Sequence, residues 1–334
     1  MDSFRLLKAR RLFWITFGIS LVVAIAYASI GFDKEGMTLF FGAKSFENPI
    51  LREGQPEAAA FYVLLFTDGM VGLWLAWFAM GLALISTAGI FPDFISEGSI
   101  GISLSKPIGR LQLFLTKFAG GLLFVALQVG VFTLVVFLAI GFRIDEWNFT
   151  LFWAVPVTTF VFGLLYSVAV CVGIWTRSTL IALLSAILMW VLSWICHWTE
   201  EKFYLFAYTI PEAGLNVDWS GGGGVKETTG ETPKPEEGMV KAHAVARSIG
   251  SPLPKTRDCT LYLKHLIVMK ERDSMLSGIS MWDLMTGSLP NSRTRAAAKK
   301  AEERHSAWYV FGTSAAFGAV MLSLGAWVFC RRDY

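Results

Sequence analysis

Six apolar runs dominate this chain, and none holds an Asp, Glu, Lys, Arg or His. They cover residues 12–30, 70–91, 118–142, 151–175, 180–196 and 308–330. A helix needs roughly 20 such residues to cross a bilayer. In lipid every backbone N–H and C=O must be satisfied within the segment, which selects the helix. The runs therefore predict an all-α polytopic membrane protein with six transmembrane helices and a large extracytoplasmic loop between spans five and six. Composition points the same way: 54% of the 334 residues are hydrophobic and 16% charged.

Three regions follow. Residues 1–197 hold helices one to five, with a cytoplasmic loop at 92–117. Residues 198–306 form the extracytoplasmic loop. Residues 307–334 hold helix six and a short tail. Ala26-Tyr27-Ala28 resembles a signal-cleavage site, but the first run is long for a signal and more spans follow, so an uncleaved anchor is expected. Asp68 lies just before span two and reads as a solvated or capping carboxylate. Within 198–306, residues 216–238 contain Gly221-Gly222-Gly223-Gly224 and Thr232-Pro233-Lys234-Pro235 and predict a flexible insert. Short helices are expected at 239–249 and 259–270. The segment 293–304, RTRAAAKKAEER, predicts a helix solvated all round that leads straight into span six.

Basic residues set the orientation. With the N-terminus in the cytosol, that side holds Arg5, Lys8, Arg10, Arg11, Lys106, Arg110, Lys117, Arg177, Arg331 and Arg332. The short outer segments hold Lys34, Lys44, Arg52 and Arg143. The long loop carries 15 Lys and Arg against 14 Asp and Glu, and long loops translocate largely regardless of charge. Both termini are thus placed in the cytoplasm.

Chemistry is sparse. There is no phosphate-binding G-x-x-x-x-G-K-[ST] loop; the run from Gly221 to Lys226 puts Glu227 where Ser or Thr is needed. No H-E-x-x-H or G-x-S-x-G motif occurs, and His197, His243, His265 and His305 are scattered. Four cysteines show no C-x-x-C spacing, so no metal site is expected. No catalytic residue and no cofactor are expected in this chain. A net charge of +3 without an aromatic-basic tract excludes a nucleic-acid groove. Spans without charge argue against an ion-coupled carrier. In span six, Gly312, Ala315, Ala319 and Ser323 form a small-residue ridge, for packing within the chain or against a second copy.

Between spans two and three stand Glu97-Gly98-Ser99-Ile100, then Leu104-Ser105-Lys106-Pro107-Ile108, Arg110 and Lys117. This order resembles the inner loop of ABC-2 type permeases, the membrane subunits of one class of ABC transporter. The ending Phe329-x-Arg331-Arg332-Asp333 is similar to that family's C-terminus. The resemblance implies an ATP-driven exporter in a bacterial cytoplasmic membrane. It implies that the 92–117 loop docks on a separate ATPase subunit, where ATP is bound, through Glu97, Gly98, Lys106, Pro107 and Arg110. It also implies a second permease subunit, most simply a homodimer. The apolar path leans toward a hydrophobic or amphipathic substrate. The alternative is a membrane scaffold or sensor acting through 198–306. The long outer loop departs from the family pattern.

Overall fold

The computed structural model describes residues 11–96, 109–218, 224–227, 237–267, 280–286 and 291–332. Ten helices organise these residues: α1 (Arg11–Ala28), α2 (Pro56–Ile95), α3 (Arg110–Ile144), α4 (Phe149–Thr176), α5 (Thr179–Glu212), α6 (Glu237–Gly250), α7 (Thr256–Leu266), α8 (Met281–Thr286), α9 (Ser292–Glu302) and α10 (Ala307–Arg331). Helices α2, α3, α4, α5 and α10 are long and apolar enough to cross a membrane. The first expected span is shorter among the described residues, with an apolar core at Trp14–Ala28. The basic lead-in 1–10 lies outside them.

The helices start and stop for local reasons. Pro56 opens α2, where its missing N–H costs nothing, and Glu57 complements the helix N-terminus. The Asn148 side chain accepts from Thr150 N–H at 2.9 Å and caps the 3-10 turn that begins α4. Pro156 falls in the first α-turn after it, where proline is tolerated. Asp145 and Arg177 adopt left-handed conformations that end α3 and the α-helical part of α4.

The helices run longer than the apolar runs. The helix α2, expected as span two, begins at Pro56 and carries a π-helical stretch, Leu65–Ala79. Asp68 lies inside that stretch and is neither capping nor merely solvated. It accepts from Lys264 Nζ at 2.7 Å and from Met281 N–H at 2.8 Å. The reason is a long-range partner, which local sequence does not reveal.

The chain also contains two small sheets, a correction to a purely helical reading. Gly31–Asp33, Gly36–Leu39 and Lys44–Glu47 (β1–β3) form a three-stranded antiparallel meander. Leu215–Asp218 and Gly224–Glu227 (β4, β5) pair antiparallel within the expected flexible insert. Residues 219–223 and 228–236 of that insert lie outside the described residues. Helix α9 is not solvated all round, because Ala297 and Ala301 are buried. It does not lead straight into the last span either; residues 303–306 break it.

Two compact units divide the chain. The first comprises Met1–Ile187, Leu263–Met281 and Gly318–Tyr334. Its core lies between α3 and α4. Tyr166 stacks between Phe118 and Phe162 at 5.2 Å from each. Gly121 lets α3 approach: a Cβ there would meet the Tyr166 ring at 2.7 Å. Gln128 of α3 donates to Ser20 Oγ of α1 at 2.9 Å, pairing two polar groups inside an apolar bundle. The second unit comprises Leu188–Tyr262 and Trp282–Phe317. Its interior is polar, and it is described below.

Candidate functional site

Of the expected docking residues, Glu97, Gly98, Lys106 and Pro107 lie outside the described residues. The structure does describe both flanks of that segment, and each is fixed to the bundle.

On the incoming flank are the last turns of α2, which ends at Ile95. Phe91, Phe114 of α3 and Phe329 of α10 form a buried aromatic trio, with centroids 5.3 to 6.3 Å apart. Pro92 packs on Gly173 of α4, where a Cβ would meet its ring carbon at 3.0 Å. Asp93 accepts from the Thr179 hydroxyl of α5 at 3.0 Å. The Lys117 ammonium lies 4.3 Å from the centre of the Phe94 ring. Lys117 does not merely open a span; it is buried, and the Phe94 ring face helps offset its desolvation.

On the outgoing flank stands Arg110, the first residue of α3. Its guanidinium donates to the carbonyls of Cys330 at 3.1 Å and Arg332 at 3.0 Å. Arg332 in turn donates to Ile174 O at 2.6 Å and Trp175 O at 3.0 Å. Each arginine thus satisfies orphan carbonyls at a helix C-terminus, where the macrodipole favours a cation. Arg110 is half-buried and engaged with its own chain. Its visible role is to position the segment.

The ridge residues Gly312, Ala315, Ala319 and Ser323 of α10 are all exposed. Packing within the chain uses another face. Ser314 and Gly318 are buried, and a Cβ on Gly318 would meet Leu164 at 3.0 Å.

The second unit holds a cluster that motif reading missed. Glu200 accepts from Arg304 Nη2 at 3.2 Å and contacts His305 Nε2 at 2.9 Å; His243 Nε2 is 3.8 Å away. Glu201 pairs with Arg257 and also with Arg304, at 3.7 Å. Asp258 lies 3.4 Å from Arg304. Lys255 donates to Ser251 O at 3.1 Å and Thr313 Oγ1 at 2.9 Å, beneath the Tyr309 ring. His197 Nδ1 lies 2.7 Å from Ser193 O, so Nδ1 carries the hydrogen.

These groups are buried, and their acidities follow. Burial pushes His243 below its ordinary value, although Glu200 opposes the shift. Burial likewise lowers Lys255, against Asp258 and Glu200. Burial alone would lower Arg304, but Asp258 and Glu200 outweigh it and hold it above the ordinary value. Burial drives the Cys259 thiol far up, so Cys259 is an inert core residue despite its polar sequence context.

One signal could have revealed the cluster. His197-Trp198-Thr199-Glu200-Glu201 follows the fifth apolar run, and Arg304-His305 precedes the sixth. Consecutive long helices joined by one connection bring these ends to the same side, so their opposite charges can meet. Among the described residues, no group of three or more His, Cys, Asp or Glu could hold a metal ion.

Fold and site define a predominantly helical protein with five helices, among the described residues, that are long and apolar enough to cross a membrane. No family model, no curated protein and no solved structure matches the chain.

Proposed function

We propose that this chain is the permease subunit of an ATP-driven ABC transporter of the ABC-2 type. It exports a hydrophobic or amphipathic substrate across a bacterial cytoplasmic membrane. ATP is hydrolysed on a separate subunit that docks on 92–117. Two copies of the permease pair around the path, with the exposed face of α10 as the contact.

One observation carries this reading. Both flanks of 97–108 are anchored to helix ends, through Phe91, Asp93, Arg110 and Arg332. A push on that segment would be delivered to α2, α3, α4, α5 and α10 together. Packed side chains and charge-assisted bonds transmit such displacement, because packed cores resist continuous deformation. The charge-free span centres also suit a machine powered from outside the membrane.

The test is coupled ATPase activity in reconstituted membranes. Glu97→Lys and Lys106→Glu should each lose most substrate-stimulated hydrolysis while the protein keeps its elution volume and melting temperature. Full stimulation in both variants would remove the docking segment from the account.

A second reading has its own support. The buried ion network gives the second unit a compact interior of its own. A scaffold or sensor acting through 198–306 would use such a unit as a partner platform.

A further inference from the structure

Within the second unit, α5 and α6 leave an open cleft of about 430 Å³. Ile195 and Phe203 of α5 and Val245, Ala246 and Ile249 of α6 line it. Lys241 is the single charged residue in its lining. The volume falls within the range of small-ligand pockets.

Three features say what covers this apolar surface. Leu188, Leu192 and Ile195 are exposed on α5 at one-face helical spacing, so an apolar strip runs up to the cleft. Trp194 and Trp198 stack at 6.1 Å, and Lys202 Nζ lies 5.9 Å from the Trp198 ring. The first charges of α5 appear at Glu200, just past the charge-free run. Aromatics beside the first charges mark the membrane–water interface. The cleft residues Ile195 and Phe203 bracket that level. Val245 and Ile249 are exposed on α6, as on a helix lying in the interface.

The cleft therefore meets acyl chains at one end and water at the other. Lys241 is largely exposed, and its contact with exposed Glu237 at 3.8 Å is of the weak surface kind. Its ammonium is available to a phosphate oxygen, a stronger, charge-assisted partner.

We infer that this cleft holds one acyl chain of an anionic phospholipid from the surrounding bilayer, with the phosphate at Lys241. The site does not depend on transport; a scaffold would hold the same lipid.

Native mass spectrometry of the full chain in detergent tests this. The protein is incubated with phosphatidylglycerol or with phosphatidylcholine of the same acyl composition. The wild type should retain one phosphatidylglycerol per chain, about tenfold above phosphatidylcholine, a margin of about 1.4 kcal/mol. Lys241→Glu should reduce phosphatidylglycerol to the phosphatidylcholine level. Ala246→Trp, which fills the cleft, should lose both. Lys241 is exposed, so its variant decides the matter if Ala246→Trp does not fold. Equal retention of the two lipids by the wild type would overturn the inference. So would phosphatidylglycerol retention unchanged by Lys241→Glu, which marks an adventitious additive only. A dimer mass abolished by Ala246→Trp would overturn it too, by assigning the cleft to a second copy.

Discussion

Arg304 has a side-chain exposure of 1% and faces Glu200, Glu201 and Asp258. Breaking such a buried pair strands the remaining charge, at a cost of about 3–5 kcal/mol. Arg304→Met should therefore lower the thermal midpoint of the detergent-solubilised protein by several degrees, and Arg304→Lys by less. An unchanged midpoint for Arg304→Met would mean the cluster is hydrated. His243 makes a second case. Its folded pKa lies below the unfolded value of about 6.5 because burial disfavours the charged form. Between those two values the unfolded chain binds more protons, so stability falls as pH falls. The contribution is intact above about 6.5 and lost as pH drops toward the folded value. The melting midpoint should fall between pH 7.5 and pH 5.5, and His243→Gln should flatten part of that slope. An identical slope in the variant would assign the acid sensitivity elsewhere. Little of this was legible in sequence. Four scattered histidines look inert, because His243 and His305 reach Glu200 only once α5, α6 and the segment before α10 are folded.

At the scale of elements, the arginine caps carry the argument. Arg332 links the C-terminus of α10 to the last carbonyls of α4, and Arg110 links α3 to α10. A hydrogen bond to a charged group contributes about 1.5–3 kcal/mol, and less where solvent reaches it. Arg332→Ala should speed amide exchange at residues 174–177 and 328–331 by about tenfold or more. Exchange at Tyr27 and Tyr62, which stack at 4.6 Å elsewhere in that unit, should not change. Uniform exchange across both regions would deny the cap a local role. The elements themselves were largely readable: the apolar runs at 118–142, 151–175 and 308–330 all fall inside helices. Their extensions were not. Residues 56–69 mix Glu57 and Asp68 into an apolar stretch, and within that helix Asp68 is neutralised by Lys264. The strand pair β4–β5 flanks the glycine run, where composition alone predicts an unpaired loop.

At the scale of the whole molecule, the arrangement of long helices bears on the membrane reading. The most apolar window of α4 is 72% buried, whereas those of α5 and α10 are 22% buried. Helix α4 is thus a core element, while α5 and α10 leave broad apolar faces for lipid or a second copy. Cysteines introduced at Gly54 and Gly214 should react with a membrane-impermeant maleimide from outside the cell, and one at Arg177 only after lysis. Labelling of Arg177→Cys in intact cells would overturn the six-span topology. In the proposed function, the segment between α2 and α3 receives force from an ATPase. This is tested most directly by purifying the tagged protein from its native membranes in mild detergent and identifying by mass spectrometry what accompanies it. A stoichiometric P-loop ATPase should accompany it and should be lost when Glu97 and Lys106 are reversed together. A preparation without any ATPase, holding instead a partner that is lost on deleting residues 219–236, would contradict that reading and make the second unit the working part.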